Sequence, residues 1–139
     1  MSLFDIFNVA GSGMSAQSVR LNTTASNIAN ADAVSSSVEG TYRARHPIFE
    51  AEMAKATHQQ QATTSVKVAG IVESDMPLQK EFSPSHPMAD ADGFIYKPNV
   101  NVMEEMANMI SASRSYQMNV QVADAAKSML QQTLRIGKQ

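Results

Sequence analysis

The chain has 139 residues, of which 43% are apolar and 17% charged, and its formal net charge is −2. That length holds about one domain, and the lack of a basic excess argues against nucleic-acid binding. There is no Cys, which excludes disulfides, thiolate metal sites and a Cys nucleophile. No apolar run approaches the ~18 residues of a membrane span. The first basic residue is Arg20, so a secretory signal peptide is not expected.

The first segment has the heptad period of a helix that packs against another helix. One register is apolar throughout and the other turns polar along the chain: Phe7, Met14, Leu21 and Ile28, and Leu3, Ala10, Gln17 and Thr24. Gly11 and Gly13 weaken the start by roughly 1 kcal/mol each relative to Ala. We predict a helix from about Leu3 to Asn30. Its last part, LNTTASNIANAD at 21–32, is rich in Asn, Thr and Ser, which are poor helix formers.

The middle of the chain, residues 31–98, holds all five Pro and all three His. Within it, TSVKVAGIVES at 64–74 alternates in the manner of a strand, and Gly70 indicates a bulge or a close approach. The segment LQKEF at 78–82 is a shorter candidate strand that follows a Pro. We predict that these two segments pair as a hairpin.

The rest of the middle has no clear period. Residues 47–57 fit either a short helix or a strand, whereas 31–46 and 83–99 are predicted loops because of their Gly, Pro, Ser and Asp content. The sequence DADGF at 90–94 predicts a turn at Asp92–Gly93. A calcium loop is disfavoured because its first and twelfth ligand positions would be Met and Asn.

The last segment is the clearest helix. Asn101 fits an N-cap with Glu104 in the first turn, and Gly137 fits the C-terminal end. Two core registers recur at seven-residue spacing, with polar lapses in the second: Val102, Met109, Tyr116, Ala123 and Leu130, and Met106, Ser113, Val120, Lys127 and Leu134. A second stripe lies on another face, at Met118, Val122, Ala125, Ala126 and Met129. One partner helix cannot cover both stripes.

The length of this helix exceeds the size of a compact chain. A helix from 101 to 136 would be about 54 Å long, whereas a globule of 139 residues is roughly 37 Å across. The two terminal helices can pair antiparallel, which leaves the second stripe uncovered. Exposed apolar stripes mark interaction surfaces, so we predict assembly. The predicted fold is mainly α, with N- and C-terminal helices paired as an antiparallel coiled coil and a small β-hairpin and loop insert between them.

No motif predicts an enzyme. GSGMSA at 11–16 fits a dinucleotide fingerprint, but NIANAD at 27–32 lacks the strand pattern that the fingerprint requires. Glu104 and Glu105 point about 100° apart on a helix, so they cannot act on one bond. The histidines are far apart, accompany no HExxH motif and are predicted to be loop residues: His46, His58 and His86. We expect no catalytic residue, metal or cofactor.

Several stretches carry a family resemblance. LNTTASNIANAD at 21–32 and GTYRARHPIF at 40–49 closely resemble the N-terminal signature of the rod and hook axial proteins of the bacterial flagellum. Downstream, VKVAGIVESD, HPMADADGFIYKPNVNVMEEMANMISASRSYQMNVQVADAAKSML and TLRIGK resemble the proximal rod subtype. The family motif Asn-Ala-Asn-Thr-x-Gly-Tyr is interrupted, because the Gly-Tyr-like pair arrives late, as Gly40-Thr41-Tyr42. This departure also matches the proximal rod subtype.

The resemblance implies a structural subunit of the flagellar basal-body rod. Such proteins pair their terminal helices and stack, with other axial proteins, into a hollow drive shaft that transmits torque and surrounds an export channel. Residues 1–30 and 99–139 would form one coiled-coil core domain, with 31–98 as an insert. The expected partners are copies of the chain, other rod proteins and the inner-membrane ring or export gate, without membrane insertion. The expected location is the periplasmic rod, reached by type III export without a cleavable signal peptide.

The expected assembly interface draws on both terminal helices. The amide and hydroxyl side chains of the first helix would bond to neighbouring subunits or channel water; alternatively, they only frame the end of the helix. The predicted interface residues are Phe7, Met14, Leu21, Asn22, Thr23, Ala25, Ser26, Asn27, Ile28, Asn30, Met106, Met109, Tyr116, Met118, Val120, Val122, Ala123, Met129, Leu130 and Leu134. The alternative function is a soluble helical adaptor that does not polymerise.

Overall fold

The computed structural model describes residues 3–53 and 64–137. Two helices, α1 (Leu3–Ala29) and α2 (Val102–Ile136), flank four strands in the sequence: β1 (Arg45–Met53), β2 (Thr64–Glu73), β3 (Gln79–Phe82) and β4 (Phe94–Lys97). The predicted fold class, long terminal helices in contact with small hairpins between them, is confirmed. Residues 54–57 of the ambiguous segment, and His58, lie outside the described residues.

The two helices run antiparallel. Near the C-terminal end of α1, Arg20 Nη2 donates to Asn108 Oδ1 at 2.9 Å. Nearer its N-terminus, a Cβ added to Gly13 would lie 2.7 Å from Nδ2 of Asn119. Residue numbers therefore fall along α1 while they rise along α2. None of the helices in the described ranges is long and apolar enough to span a membrane.

Small side chains allow the helices to approach each other closely. Ala10 and Ala16 of α1 are buried, as are Ala112 and Ala126 of α2. Where Gly13 faces Asn119, a methyl group would collide with the amide. We call this contact between α1 and α2 the helix seam. Its fully buried apolar residues are all Ala, so its stability depends on tight packing.

The face of α2 that lines the helix seam differs from the predicted one. Half of the prediction holds, because Met109, Ala123 and Leu130 of the first register are partly buried. The second register holds only at Ser113 and Val120, which are partly buried, because Met106 and Leu134 are 49% and 61% exposed. The seam instead uses the column one residue earlier: Glu105, Ala112, Asn119 and Ala126. The prediction assumed that the most apolar column faces the partner helix, whereas close approach selects small residues.

The strands pair differently from the prediction. β2 pairs with β1 in an antiparallel sheet, and β3 pairs with β4. The predicted hairpin of β2 with β3 is therefore wrong, and so are the loop assignments at Arg45–His46 and at β4. Strand length gives the physical reason. β2 has ten residues and β3 has four, so β3 would leave most peptide groups of β2 unpaired, whereas the nine residues of β1 match them.

The hairpin of β1 and β2 lies along α1, on a side not occupied by α2. Its base is tied to the C-terminal end of α1, where Asn27 Oδ1 accepts from Arg45 N at 2.9 Å. Further along, Val66 N donates to Ser12 Oγ at 3.2 Å. α1 therefore contacts both α2 and the hairpin. The register shifts between Ile48 and Phe49, opposite the stretch that precedes Gly70, which confirms the predicted bulge.

The predicted turn and helix ends are confirmed. Gly93 has φ +79°, the left-handed conformation that favours Gly, and Asp90 Oδ1 accepts from Phe94 N at 2.8 Å. Asn101 caps α2, with its side chain accepting from Met103 N at 3.1 Å and Glu104 N at 3.4 Å. α2 ends before Gly137. The GSGMSA segment lies inside α1, which rules out the strand-turn-helix that a dinucleotide fingerprint needs.

Candidate assembly interface

Asn27 joins α1 to the first strand. Its side chain is fully buried, and its Nδ2 donates to Arg45 O at 2.8 Å while its Oδ1 accepts from Arg45 N at 2.9 Å. The amide therefore bonds to Arg45 in the way that a neighbouring strand would. Tyr42 adds a third bond, because its hydroxyl donates to the same Oδ1 at 2.8 Å. These three bonds fix the point at which β1 leaves the helices. We call this point, held by Asn27, Tyr42 and Arg45, the junction.

A second asparagine, which the sequence analysis did not single out, holds the opposite side of this junction. Asn99 Oδ1 accepts from Ala44 N at 2.8 Å, and its Nδ2 donates to Met76 O at 2.8 Å and to Ser74 O at 3.3 Å. It thus links the segments that precede β1, follow β2 and precede α2. The sequence offered one signal, an Asn two residues before the cap residue of α2. Its partners could not be read from that position.

Tyr42 lies where the junction meets the helix seam. Burial raises the pKa of its hydroxyl, the Arg45 guanidinium opposes that rise, and the carboxylates of Glu105 and Glu73 add to it. The guanidinium carbon of Arg45 lies 5.4 Å from the centre of the Tyr42 ring. The same guanidinium forms an ion pair with Glu73, with 2.9 Å between Nη2 and Oε1. Tyr42 therefore stays protonated and remains a donor to Asn27 at neutral pH.

The predicted polar residues of α1 divide between inside and outside. Thr23 is buried and donates to Val19 O at 2.9 Å, and Asn30 Nδ2 donates to Ser26 O at 2.8 Å. The alternative that such residues frame the end of the helix therefore describes Asn27 and Asn30. In contrast, Asn22 and Ser26 have exposed side chains, as has Ala25. Phe7, Met14, Leu21 and Ile28 are partly buried.

The predicted residues of α2 also divide, and most large ones are exposed. Met118, Val122 and Met129 of the second stripe are 63%, 48% and 58% exposed. Tyr116 is exposed, whereas Met109, Val120, Ala123 and Leu130 are partly buried. Ala126 of the second stripe is buried in the helix seam, whereas the other four residues of that stripe stay exposed in the single chain. We call Met118, Val122 and Met129 the outer stripe.

Another exposed apolar group lies at the N-terminal end of α2. Met103 and Ile110 flank Met106 at spacings of three and four residues, so the three share one helix face. Met103 is 76% exposed and Ile110 is 54% exposed. The two predicted heptad registers contain only Met106 of this group, and Met103 and Ile110 belong to neither. Their spacing was the available signal.

Of the groups that the sequence offered, His46, His86 and the paired glutamates lie at separate places in the described part of the chain. Among them there is no group of three His, Cys, Asp or Glu side chains that could hold a metal ion. His46 lies in β1, so its assignment to a loop was wrong, whereas His86 lies in a turn where its Nδ1 accepts from Met88 N at 3.1 Å. Glu105 is buried while Glu104 is exposed, as expected for side chains that diverge.

Comparison with known proteins places both helices in one family. Residues 7–35 match the family model described as flagella basal body rod protein, and residues 91–136 match the one described as flagellar basal body rod FlgEFG protein C-terminal. The flagellar basal-body rod protein FlgC of Salmonella typhimurium is 46% identical over 138 residues, which cover 99% of this chain and 100% of the relative. The protein of the same name from Escherichia coli O157:H7 is also 46% identical, with the same coverage.

A more distant relative gives the same assignment. The flagellar basal-body rod protein FlgC of Bacillus subtilis is 34% identical over 153 aligned residues, covering 99% of this chain and 100% of the relative. The similarity therefore extends through the junction and both hairpins as well as the helices. The chain belongs to the family of flagellar basal-body rod proteins, and it is a structural subunit that assembles with other rod subunits rather than an enzyme.

Proposed function

We propose that the chain polymerises through the outer stripe of α2, and that copies of it and other axial proteins together form a hollow drive shaft. The helix pair acts as one axial core domain, and residues 31–98 form an insert on it. The shaft transmits torque and surrounds the export channel, in the periplasm beside the inner-membrane ring and export gate. The chain reaches this position by type III export.

The observation that supports this proposal most directly is the contrast between the two sides of α2. On the side that packs in its own chain, the fully buried residues are Glu105, Ala112 and Ala126, and Met109 and Leu130 are only partly buried, whereas the outer stripe is Met and Val. Fully burying each such apolar side chain is worth about 1.5–3 kcal/mol. A helix that leaves three large apolar residues exposed on a face away from its own seam has much to gain from a neighbouring molecule.

The placement of the exposed residues favours a polymer over a soluble adaptor. The outer stripe and the Met103–Met106–Ile110 group occupy different faces and different ends of α2. One partner helix buries one stripe, so a single adaptor complex would leave the other group in water. Neighbours on two sides cover both, and contacts on two different surfaces are what an open helical array requires.

The proposal can be tested by making the outer stripe polar. The double variant Met118→Gln/Val122→Gln should leave the free energy of unfolding of the purified chain within about 0.5 kcal/mol, because both side chains are exposed. The same variant should fail to build rods. Swimming, the subunit level in cells and electron microscopy of isolated basal bodies are the readouts.

The matched control is Met118→Leu/Val122→Ile, which keeps the apolar surface at the same two positions. It should swim and build rods. Normal rods from the glutamine variant at a normal subunit level would contradict the proposal. In that case the chain would enter the rod through a surface other than the outer stripe.

A further inference from the structure

The outward face of the β1–β2 hairpin contains an apolar notch. Paired residues share a face of an antiparallel sheet, and the pairs His46–Val72 and Ile48–Gly70 are adjacent on one face. Ile48 and Val72 are therefore diagonal neighbours, about 7–8 Å apart. The fourth corner is Gly70, which has no side chain. We call Ile48, Gly70 and Val72 the hairpin notch.

The hairpin notch is open to a partner. Ile48 is 47% exposed and Val72 is 45% exposed. A Cβ added to Gly70 would meet no atom within 4 Å, so nothing in its own chain fills the space above this glycine. Ile48 and Val72 thus border an unfilled space above Gly70, which can hold one branched apolar side chain.

The C-terminal end of α2 offers such side chains. α1 begins ten residues before Gly13, so its contact with α2 ends about ten residues beyond Asn119. Every residue from 131 to 137 is exposed. Leu134 and Ile136 are 61% and 74% exposed. We call residues 131–137 the α2 tail.

The two surfaces cannot meet within one chain but have complementary charge. The base of the hairpin lies at the C-terminal end of α1, whereas the α2 tail extends beyond the N-terminal end. The tail and the turn before it carry Lys127 and Arg135 without an acid among residues 127–137. Next to the notch, the same hairpin face carries Glu50 and Glu52 against Lys67. Residues 127–137 thus carry two positive charges, and the hairpin face beside the notch carries two negative charges against one positive charge.

We infer that the α2 tail of one copy docks in the hairpin notch of a second copy, with Leu134 or Ile136 over Gly70. This rests on the proposed function and names one of its contacts. Such a contact joins two different surfaces, so it leaves a free tail at one end and a free notch at the other. Each added copy presents the same pair again. The contact therefore propagates in one direction along the assembly.

The absence of Cys from the native chain makes a direct test possible. In cells that carry Gly70→Cys/Ile136→Cys, a short thiol-to-thiol crosslinker should join copies into dimers and larger head-to-tail products. Each single variant should give none of the 70–136 link, which peptide mapping identifies. The matched control Gly70→Cys/Gln121→Cys keeps the notch thiol and moves the other about 22 Å along α2, to an exposed residue outside both apolar groups. No link is expected there.

Swimming cells separate failure of this contact from failure of the proposed function. If the Gly70→Cys/Ile136→Cys chain supports swimming and no 70–136 link forms, the docking is overturned while rod assembly through the outer stripe stands. If rods form normally from the Met118→Gln/Val122→Gln chain and the 70–136 link is present, the outer stripe is overturned and the docking stands.

Filling the notch gives a second measurement that does not need a thiol. Gly70→Leu adds a side chain into open space, so the purified chain should unfold at an unchanged denaturant concentration. Incorporation into rods should fall about tenfold, the change expected when one apolar anchor loses its pocket. Gln79→Leu, at an exposed site on β3, is the control and should incorporate normally. Wild-type incorporation of Gly70→Leu overturns the docking.

Discussion

The inward and outward sides of the helix pair are built on opposite chemistry. The helix seam holds Ala, Gly and Asn at close distance, and the junction beside it holds the buried Asn27. The outward side of α2 holds Met118, Val122 and Met129 in contact with solvent. In a free-standing monomer this distribution would be reversed, because large apolar side chains are normally the buried ones.

This difference shows what each side is for. Short side chains let the two helices approach closely, and the amides satisfy the backbone where the chain leaves α1. The outer stripe contributes little to the fold of the single chain, so its apolar area is available for contact with other rod subunits. The single chain is therefore stabilised by close helix packing and by the hydrogen bonds of its buried amides, whereas the assembly gains from burial of the outer stripe.

The largest expected effect is a difference in the free energy of unfolding between variants at two asparagines of α1, Asn27 and Asn22. Asn27→Leu removes three hydrogen bonds and leaves the peptide groups of Arg45 and the hydroxyl of Tyr42 buried without them. We expect the free energy of unfolding to fall by about 4 kcal/mol. Asn22→Leu, on the exposed side, should change it by less than about 0.5 kcal/mol. Urea denaturation followed by circular dichroism measures both.

The two variants also separate the roles of these residues in the rod. An Asn22→Leu chain that folds normally but fails to build rods would place Asn22 in the interface. Equal loss of stability in the two variants would contradict the distinction between inside and outside. A stable Asn27→Leu chain would mean that the junction is held by Asn99 alone.

A smaller difference in the free energy of unfolding is expected between alanine variants at two glycines of α1, Gly11 and Gly13. Gly11→Ala places a methyl group in open space and improves helix propensity, so the free energy of unfolding should rise by about 1 kcal/mol. In Gly13→Ala the same gain is opposed by a contact of 2.7 Å with Asn119 Nδ2. We expect no net stabilisation there. Combining Gly13→Ala with Asn119→Ala should restore the gain, and identical gains from both single variants would show that the helix seam is looser than described.

The elements with a local signal could be predicted from the sequence. The helix ends, the cap at Asn101, the turn at Gly93 and the bulge beside Gly70 each depend on residues close together in the chain. The same is true of the exposed stripe, since Met118, Val122 and Met129 share one helix face. The family resemblance rests on contiguous stretches and was confirmed by the relatives over the whole chain.

The features that depend on distant partners could not be predicted. Asn27 bonds to a residue 18 positions away, in a segment predicted to be a loop. The seam column at Glu105 and Ala112 is less apolar than the column at Met106, so hydrophobic periodicity selected the wrong one. The partner of β2 was also missed, because alternation identifies a strand but does not say which strand it pairs with.

The smallest effect concerns the pH dependence of the junction. Burial raises the pKa of Tyr42 above its ordinary value of 10.0. The folded chain therefore favours the protonated hydroxyl more than the unfolded chain does. Its contribution to stability is complete below pH 10 and decreases as the pH rises through the folded pKa, because the unfolded chain ionises first. Ionised Tyr42 can no longer donate to Asn27 Oδ1.

Tyr42→Phe provides the control for this pH effect, because it lacks the bond to Asn27 at every pH. Urea midpoints measured from pH 8 to about 11 should converge as the wild-type chain loses the contribution of the hydroxyl. Other groups titrate in this range in both chains, so the difference between the two curves is the informative quantity. A constant difference would mean that the Tyr42 hydroxyl does not hold the junction, and that Asn27 holds β1 through its two bonds to Arg45.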